Sequence, residues 1–220
     1  MIQKTEIFTT NVYSTEKIEW VDELNKISDE VIEEEKQNTW NEKIKKRNET
    51  LGVDVKDHGF SYHSKLLTGD PRFSKFTNFT GEMCHKLLED MGYDMSNHNL
   101  FCSNLWVQDF ANSGGGHHDT HTHSETHING FYFLKCSDRT SFPILHDPRP
   151  AKSMIQLPEK DEEKTTAASQ YYNFKPYPGM ILIFPGYVPH QFLVDNGIDP
   201  FRFIHFNFVA VNKRYKLNDI

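Results

Sequence analysis

No stretch of this 220-residue chain approaches the roughly 18 consecutive apolar residues that a membrane-spanning helix needs. The opening residues, MIQKTEIFTTNVYS, have neither the basic start nor the apolar run of a secretion signal. Cysteine is scarce: Cys84, Cys102 and Cys136 are odd in number and far apart, which suits neither a disulfide scaffold nor a thiolate zinc site. Buried thiols and a cytoplasmic location are expected, the cytoplasm being that of a host if the chain is viral. Positive charge is also short, with 24 Lys+Arg against 31 Asp+Glu and a net charge of −7. A general binder of nucleic-acid backbones or of anionic membranes gains nothing from such a surface. The 37% hydrophobic and 13% aromatic content is enough to fill one core, so residues 1–220 are read as a single domain.

The first half reads as helical. Ile18, Val21, Leu24, Ile27 and Val31 recur at three- and four-residue steps among charges, which predicts a helix with one buried face over 15–34. Residues 35–50 are polar around an isolated Trp40 and Ile44 and read as a solvated helix end or a loop. A second helix is expected from Asp70, a capping carboxylate, with Pro71 in its first turn and Gly92 as its stop. Its apolar steps Phe73, Phe76, Phe79, Met83, Leu87 and Met91 read as core. After residue 99 the texture changes to eight short apolar runs between Gly, Pro, Asn and Asp: NLFCSNLWVQDF, HINGFYFLKC, SFPILHD, SMIQL, YYNFKP, GMILIFP, HQFLV and FRFIHFNFVAV. That order predicts an α+β, mainly β fold, a sandwich or barrel core over 100–211 with a helical buttress over 1–99. Residues 158–170 are too polar to pack and read as an exposed loop or lid.

Histidine is the residue in excess, 12 in all, with five between His117 and His127. If HHDTHTH enters a strand, His117, Asp119, His121 and His123 share a face, and imidazoles two apart can hold one metal ion. His190, just beyond the apolar GMILIFP run and a Pro/Gly turn, is a third ligand from a distance. Two sets remain open on spacing alone: His117, Asp119 and His190, with the carboxylate usual for non-haem Fe(II), or His121, His123 and His190.

The segment from His121 to Leu134, HTHSETHINGFYFL, resembles the motif of the 2-oxoglutarate/Fe(II) oxygenases common in marine phages and bacteria. The resemblance runs upstream through Leu105-Trp106-Val107 and Gly114 to Gly116, and downstream through Asp147-Pro148-Arg149-Pro150. It closes with Phe184-Pro185-Gly186-Tyr187-Val188-Pro189-His190, Arg202 and Phe206-Asn207-Phe208. It implies a double-stranded β-helix, or jelly roll, with N-terminal helices on the outer sheet and the metal at one mouth. It also implies Fe(II) on His121, His123 and His190, with Arg202 pairing the far carboxylate of 2-oxoglutarate and Asn207 at the cosubstrate. The reaction implied is hydroxylation by O2 of an unidentified substrate, with release of succinate and CO2; a homodimer is one arrangement open to it.

Three departures from that pattern stand out. Phe133 occupies the place of a tyrosine, Ile204 that of a hydroxyl residue, and Arg202 lies one residue too close to Asn207. They keep two alternatives in view, a three-histidine cupin-type metalloenzyme that does not use 2-oxoglutarate and a non-catalytic jelly-roll binding module. Asp147 to Pro150 reads equally as a rigid turn with a surface ion pair. In a regular strand carrying Arg202 towards the metal, His205 faces away.

Overall fold

Two antiparallel sheets face each other in the computed structural model, which describes residues 2–215. Ten strands make them: β1 (Tyr13–Glu16), β2 (Ser61–His63), β3 (His98–Phe110), β4 (His118–His121), β5 (Ile128–Lys135), β6 (Pro143–His146), β7 (Tyr171–Asn173), β8 (Met180–Pro185), β9 (His190–Phe192) and β10 (Arg202–Asn212). The larger sheet has the order β1-β8-β5-β10-β3-β2 and the smaller one β4-β9-β6-β7. β10, in register with both β3 and β5, lies in the middle of the larger sheet. Three helices, α1 (Val21–Glu35), α2 (Asn41–Leu51) and α3 (Ser74–Asp90), complete the fold, and α1 and α3 pack on the larger sheet. The fold is the mainly β sandwich with a helical buttress that the sequence pattern predicted, in the jelly-roll form, with N-terminal helices on the outer sheet, that the resemblance implied.

The helices form where the apolar steps place them. α1 buries Leu24, Val31 and Ile32, and α3 buries Phe76, Thr80, Cys84 and Leu88 at four-residue spacing. Asp70 caps the single turn Pro71–Phe73 ahead of α3 by accepting from the Arg72 amide at 3.0 Å. The polar stretch 35–50 is helical throughout, a π-turn over Lys36–Trp40 running into α2. Trp40 anchors it, with its ring edge-on to Phe60 and Tyr62 at 5.7 and 5.8 Å. The N-terminal region also gives β1 and β2 to the larger sheet, pairing with β8 and β3. One expected strand is absent: SMIQL lies where Pro150–Met154 form a 3-10 turn, and Met154, Ile155 and Leu157 stay exposed. Pro150 at the start of the turn fixes helical φ, and no neighbouring strand offers those side chains a face to cover.

Strand alternation sorts the core into two layers. Outward from the larger sheet, Leu105, Val107, Tyr132, Ile204, Phe206 and Phe208 meet the helices. Inward, Phe110, Phe131, Phe133, Phe184, Phe192 and Phe203 fill the space between the sheets. Gly130 permits one tight crossing, since a Cβ there would lie 2.2 Å from the Phe206 ring and 2.7 Å from the Leu182 carbonyl oxygen. Gly186 allows another: its missing Cβ leaves room for the Thr126 carbonyl oxygen, 2.3 Å from where that atom would stand. This second crossing holds the 124–127 loop against the turn between β8 and β9, so His123 comes within reach of His190.

Candidate metal centre

β4 and β9 pair at the mouth between the sheets, and the pairing sets the site. His121 lies opposite His190 and His118 opposite Phe192, with a register shift between the two pairs. The extra residue in β4 changes the parity of HHDTHTH. His118 turns inward against Phe110, Phe192 and Phe203, at 5.7, 5.9 and 6.4 Å between ring centres. His121 also turns inward, three residues later, and His123 follows just after the strand. The imidazoles of His121, His123 and His190 then face one point, with ring centres 4.4 to 5.2 Å apart and donor atoms all within 4.8 Å of one another.

Hydrogen bonds fix which nitrogen is free in two of the rings. Nδ1 of His190 lies 3.1 Å from the Val188 carbonyl oxygen, and Nδ1 of His121 lies 2.6 Å from that of Asp119. A carbonyl only accepts, so each Nδ1 carries the proton and each Nε2 presents a lone pair. Nε2 of His123 and of His190 are buried with no hydrogen-bond partner. Leaving a buried acceptor unpaired costs about 1–3 kcal/mol, and two such atoms aimed at one point fit metal ligands.

Burial, helped by the neighbouring imidazoles, pulls the His123 ring down to about 4 and the His190 ring down to about 3. His118, buried beside the same rings, falls to about 4, and His205 is pushed well below the usual range by complete burial. All four are neutral at pH 7, the form that binds metal. Their protonation also sets a pH dependence for the apoprotein. The unfolded chain takes up protons below pH 6.5 and the folded chain does not until about pH 4, so the stability carried by the neutral rings is fully present above pH 6.5 and is lost as pH falls through the window down to about 3. Urea unfolding at pH 7.5, 6.0 and 5.0 is expected to give a falling midpoint at constant slope.

His117 and Asp119, the alternative ligands, lie on the outer side of β4. Their side chains approach each other at 3.8 Å, and that of Asp119 is 97% exposed, so the carboxylate set is not assembled. Arg202 corrects a second expectation. Along β10 the residues Phe201, Phe203, His205 and Asn207 face inward, whereas Arg202, Ile204 and Phe206 face the helices. The Arg202 guanidinium is held on that outer face by Asp109, at 2.5 and 2.7 Å, and by Asp29 of α1, at 2.6 Å. It is turned away from the metal centre, and both edges of its fork are occupied.

His205 takes the opposite side from the one expected. Its ring stacks on Trp106 at 4.1 Å and lies 4.7 Å from the ring of His123. Nε2 of His205 donates to Oδ1 of Asn207 at 2.6 Å, so Asn207 orients a ring of the site wall. Counting back from Asn207 in steps of two finds His205 on the inner face. Asp147 and Arg149 form the rigid turn, paired at 2.6 and 2.9 Å, with Lys152 on the same carboxylate at 3.2 Å.

Three histidines converging at the open end of two facing antiparallel sheets outline a candidate metal centre in a double-stranded β-helix fold. Residues 104–207, which carry all three, match the family described as "Putative 2OG-Fe(II) oxygenase", 2OG being 2-oxoglutarate. Through this segment the chain is similar to that family of oxygenases. Among solved structures it is similar to a Pseudomonas putida prolyl-4-hydroxylase, with 10% identity, 91% of this chain and 94% of that chain covered, and a TM-score of 0.55; this likeness is one of fold. A 2OG-Fe(II) oxygenase family oxidoreductase from Burkholderia pseudomallei aligns at 10% identity over 71% of this chain and 73% of its own, with a TM-score of 0.48. No curated protein matches the chain in sequence. Among the described residues no helix is long and apolar enough to cross a membrane.

The family implies Fe(II) and 2-oxoglutarate. The orphaned Nε2 atoms of His123 and His190 fit the metal. The far carboxylate of 2-oxoglutarate is a different matter. Arg202 is the one buried Arg or Lys among the described residues, and it lies on the wrong face of the sheet.

Proposed function

We propose that this protein is a non-haem Fe(II) oxygenase whose metal is held by His121, His123 and His190 and which hydroxylates a substrate yet to be identified. The observation that carries the reading is the pair of buried, unpartnered Nε2 atoms converging with that of His121. Iron, when bound, supplies the redox chemistry that activates O2. The chain's own residues do the rest. The carbonyl groups of Asp119 and Val188 hold two rings in the ligand tautomer, and Asn207 fixes His205 against Trp106 as one wall. Phe131 and Phe184, 5.6 and 4.9 Å from the His190 ring, keep water from the inner side.

Three protein ligands leave coordination positions for exogenous groups, as an oxygenase needs. The net charge of −7 disfavours a polyanionic substrate such as nucleic acid. Three free cysteines accord with a reducing, cytoplasmic setting. A second reading, a three-histidine metalloenzyme that uses no 2-oxo acid, is favoured by the all-imidazole donor set and by the outward-facing Arg202.

Anaerobic Fe(II) titration followed by nitric oxide, a stand-in for O2, tests the reading. One iron per chain and the S = 3/2 resonance of an iron nitrosyl are expected. Iron that binds without forming the nitrosyl would mean a closed centre and exclude an oxygenase.

A further inference from the structure

The three rings of the centre are not held alike. His121 and His190 are each tied through Nδ1 to a backbone carbonyl, of Asp119 and of Val188. The His123 ring has no such tie among the described residues, and it lies past the end of β4, so its place follows from the turn that carries it. Only Ser124 and Glu125 separate His123 from Thr126. Glu125 closes that turn in the left-handed region, at φ 63°, where residues with a Cβ are uncommon. Thr126 then fastens it. The Thr126 hydroxyl donates to Oδ1 of Asn129 at 2.7 Å, with the His123 carbonyl oxygen the next acceptor at 3.3 Å. The Thr126 carbonyl oxygen fills the space that a Cβ on Gly186 would take, and the His127 carbonyl accepts from the Gly186 amide at 3.0 Å.

Asn129 is an unusual anchor. It stands on β5 in register with Phe184 and Asn207, is 0% exposed, and its Nδ2 is buried with no hydrogen-bond partner. A leucine of nearly the same size would leave nothing unpaired there, so the half-used amide weakens the fold in a way that packing alone does not explain. What the amide does is hold Thr126. We propose that Thr126 and Asn129 are positioning residues that set the His123 imidazole on the metal. They do from the backbone side what the Asp119 and Val188 carbonyls do for the other two rings. The proposal rests on the three-histidine centre read above, and it assigns the third ligand to a latch between the loop after β4 and the inner face of β5.

The test is Co(II) titration of the full chain, read both as affinity and in the visible d–d bands, which follow the number and geometry of the donors. Thr126→Val keeps the shape of the side chain and removes its hydroxyl. It is expected to weaken Co(II) binding by about tenfold and to change the bands, and Thr126→Ser, which keeps the hydroxyl, is expected to stay close to the wild type in both. Should Thr126→Val not fold, Asn129→Leu gives an independent arm. By removing the unpaired Nδ2 it is expected to hold or raise the thermal midpoint of the apoprotein while it weakens Co(II) binding, a divergence that a packing role does not produce. Wild-type affinity and bands in Thr126→Val or in Asn129→Leu would overturn the proposal and leave the three-histidine centre standing. A loss as large in Thr126→Ser as in Thr126→Val would overturn it too. A wild-type chain that takes up no Co(II) would overturn the centre itself, and the proposal with it.

Discussion

Replacing His190 by alanine is expected to lower Fe(II) affinity by about a hundredfold or more, taking roughly a quarter of the 10–16 kcal/mol that a four-ligand metal site provides as each donor's share. Calorimetric titration with Fe(II), or with Co(II) as an air-stable probe, reads the loss directly. Stability tells a second part of the story. Nε2 of His190 is buried and unpaired, so the ring sits between Phe131 and Phe184 at a cost that a bound metal would offset. His190→Phe keeps the ring and removes the unpaired atom. It is expected to hold or raise the thermal midpoint of the apoprotein while abolishing the rise that metal gives the wild type. A midpoint lowered to the same degree by His190→Phe and His190→Ala would point to a histidine kept for packing.

Much of this was legible in the sequence, and the gaps share a cause. Apolar steps of three and four placed α1 and α3, and the Asp70-Pro71 pair placed the cap, because those signals are local. The alternating aromatics of FRFIHFNFVAV marked a central strand, but a strand read alone does not say which of its faces is inside. Parity then misplaced Arg202 and His205 together, since both follow from one choice of face. The histidine cluster failed in a similar way. A regular strand would have put His117, Asp119, His121 and His123 on one side, and the register shift inside β4 left the first two outside. Nothing in HHDTHTH announces that extra residue; it becomes visible only in the pairing with β9. The exposed SMIQL segment shows the converse, apolar letters without a neighbour to cover them.

Arg202 therefore serves the fold, and its removal is expected to show as lost stability with metal binding unchanged. Its side chain is 5% exposed, and it joins β10 to Asp109 of β3 and to Asp29 and the Asn25 carbonyl of α1, at 2.5, 2.6 and 3.3 Å. Asp109 is 15% exposed, so Arg202→Met strands a largely buried carboxylate and unfastens the helix from the sheet. Breaking such a pair costs about 3 kcal/mol, which for a chain of this length lowers the thermal midpoint by roughly 6–12 °C. The double variant Arg202→Met/Asp109→Leu removes the stranded charge as well and is expected to recover most of the loss, since an apolar pair in the same space is close to neutral. Differential scanning calorimetry of the two variants gives the comparison, and Fe(II) titration of the same samples gives the control. If Arg202→Met melts like the wild type but loses a bound 2-oxo acid, the arginine leaves its carboxylate partners and turns inward when the cosubstrate arrives. Both edges of its fork are already engaged by carboxylates on two separate elements, so that turn would have to break a bidentate pair and a helix-to-sheet tether at once.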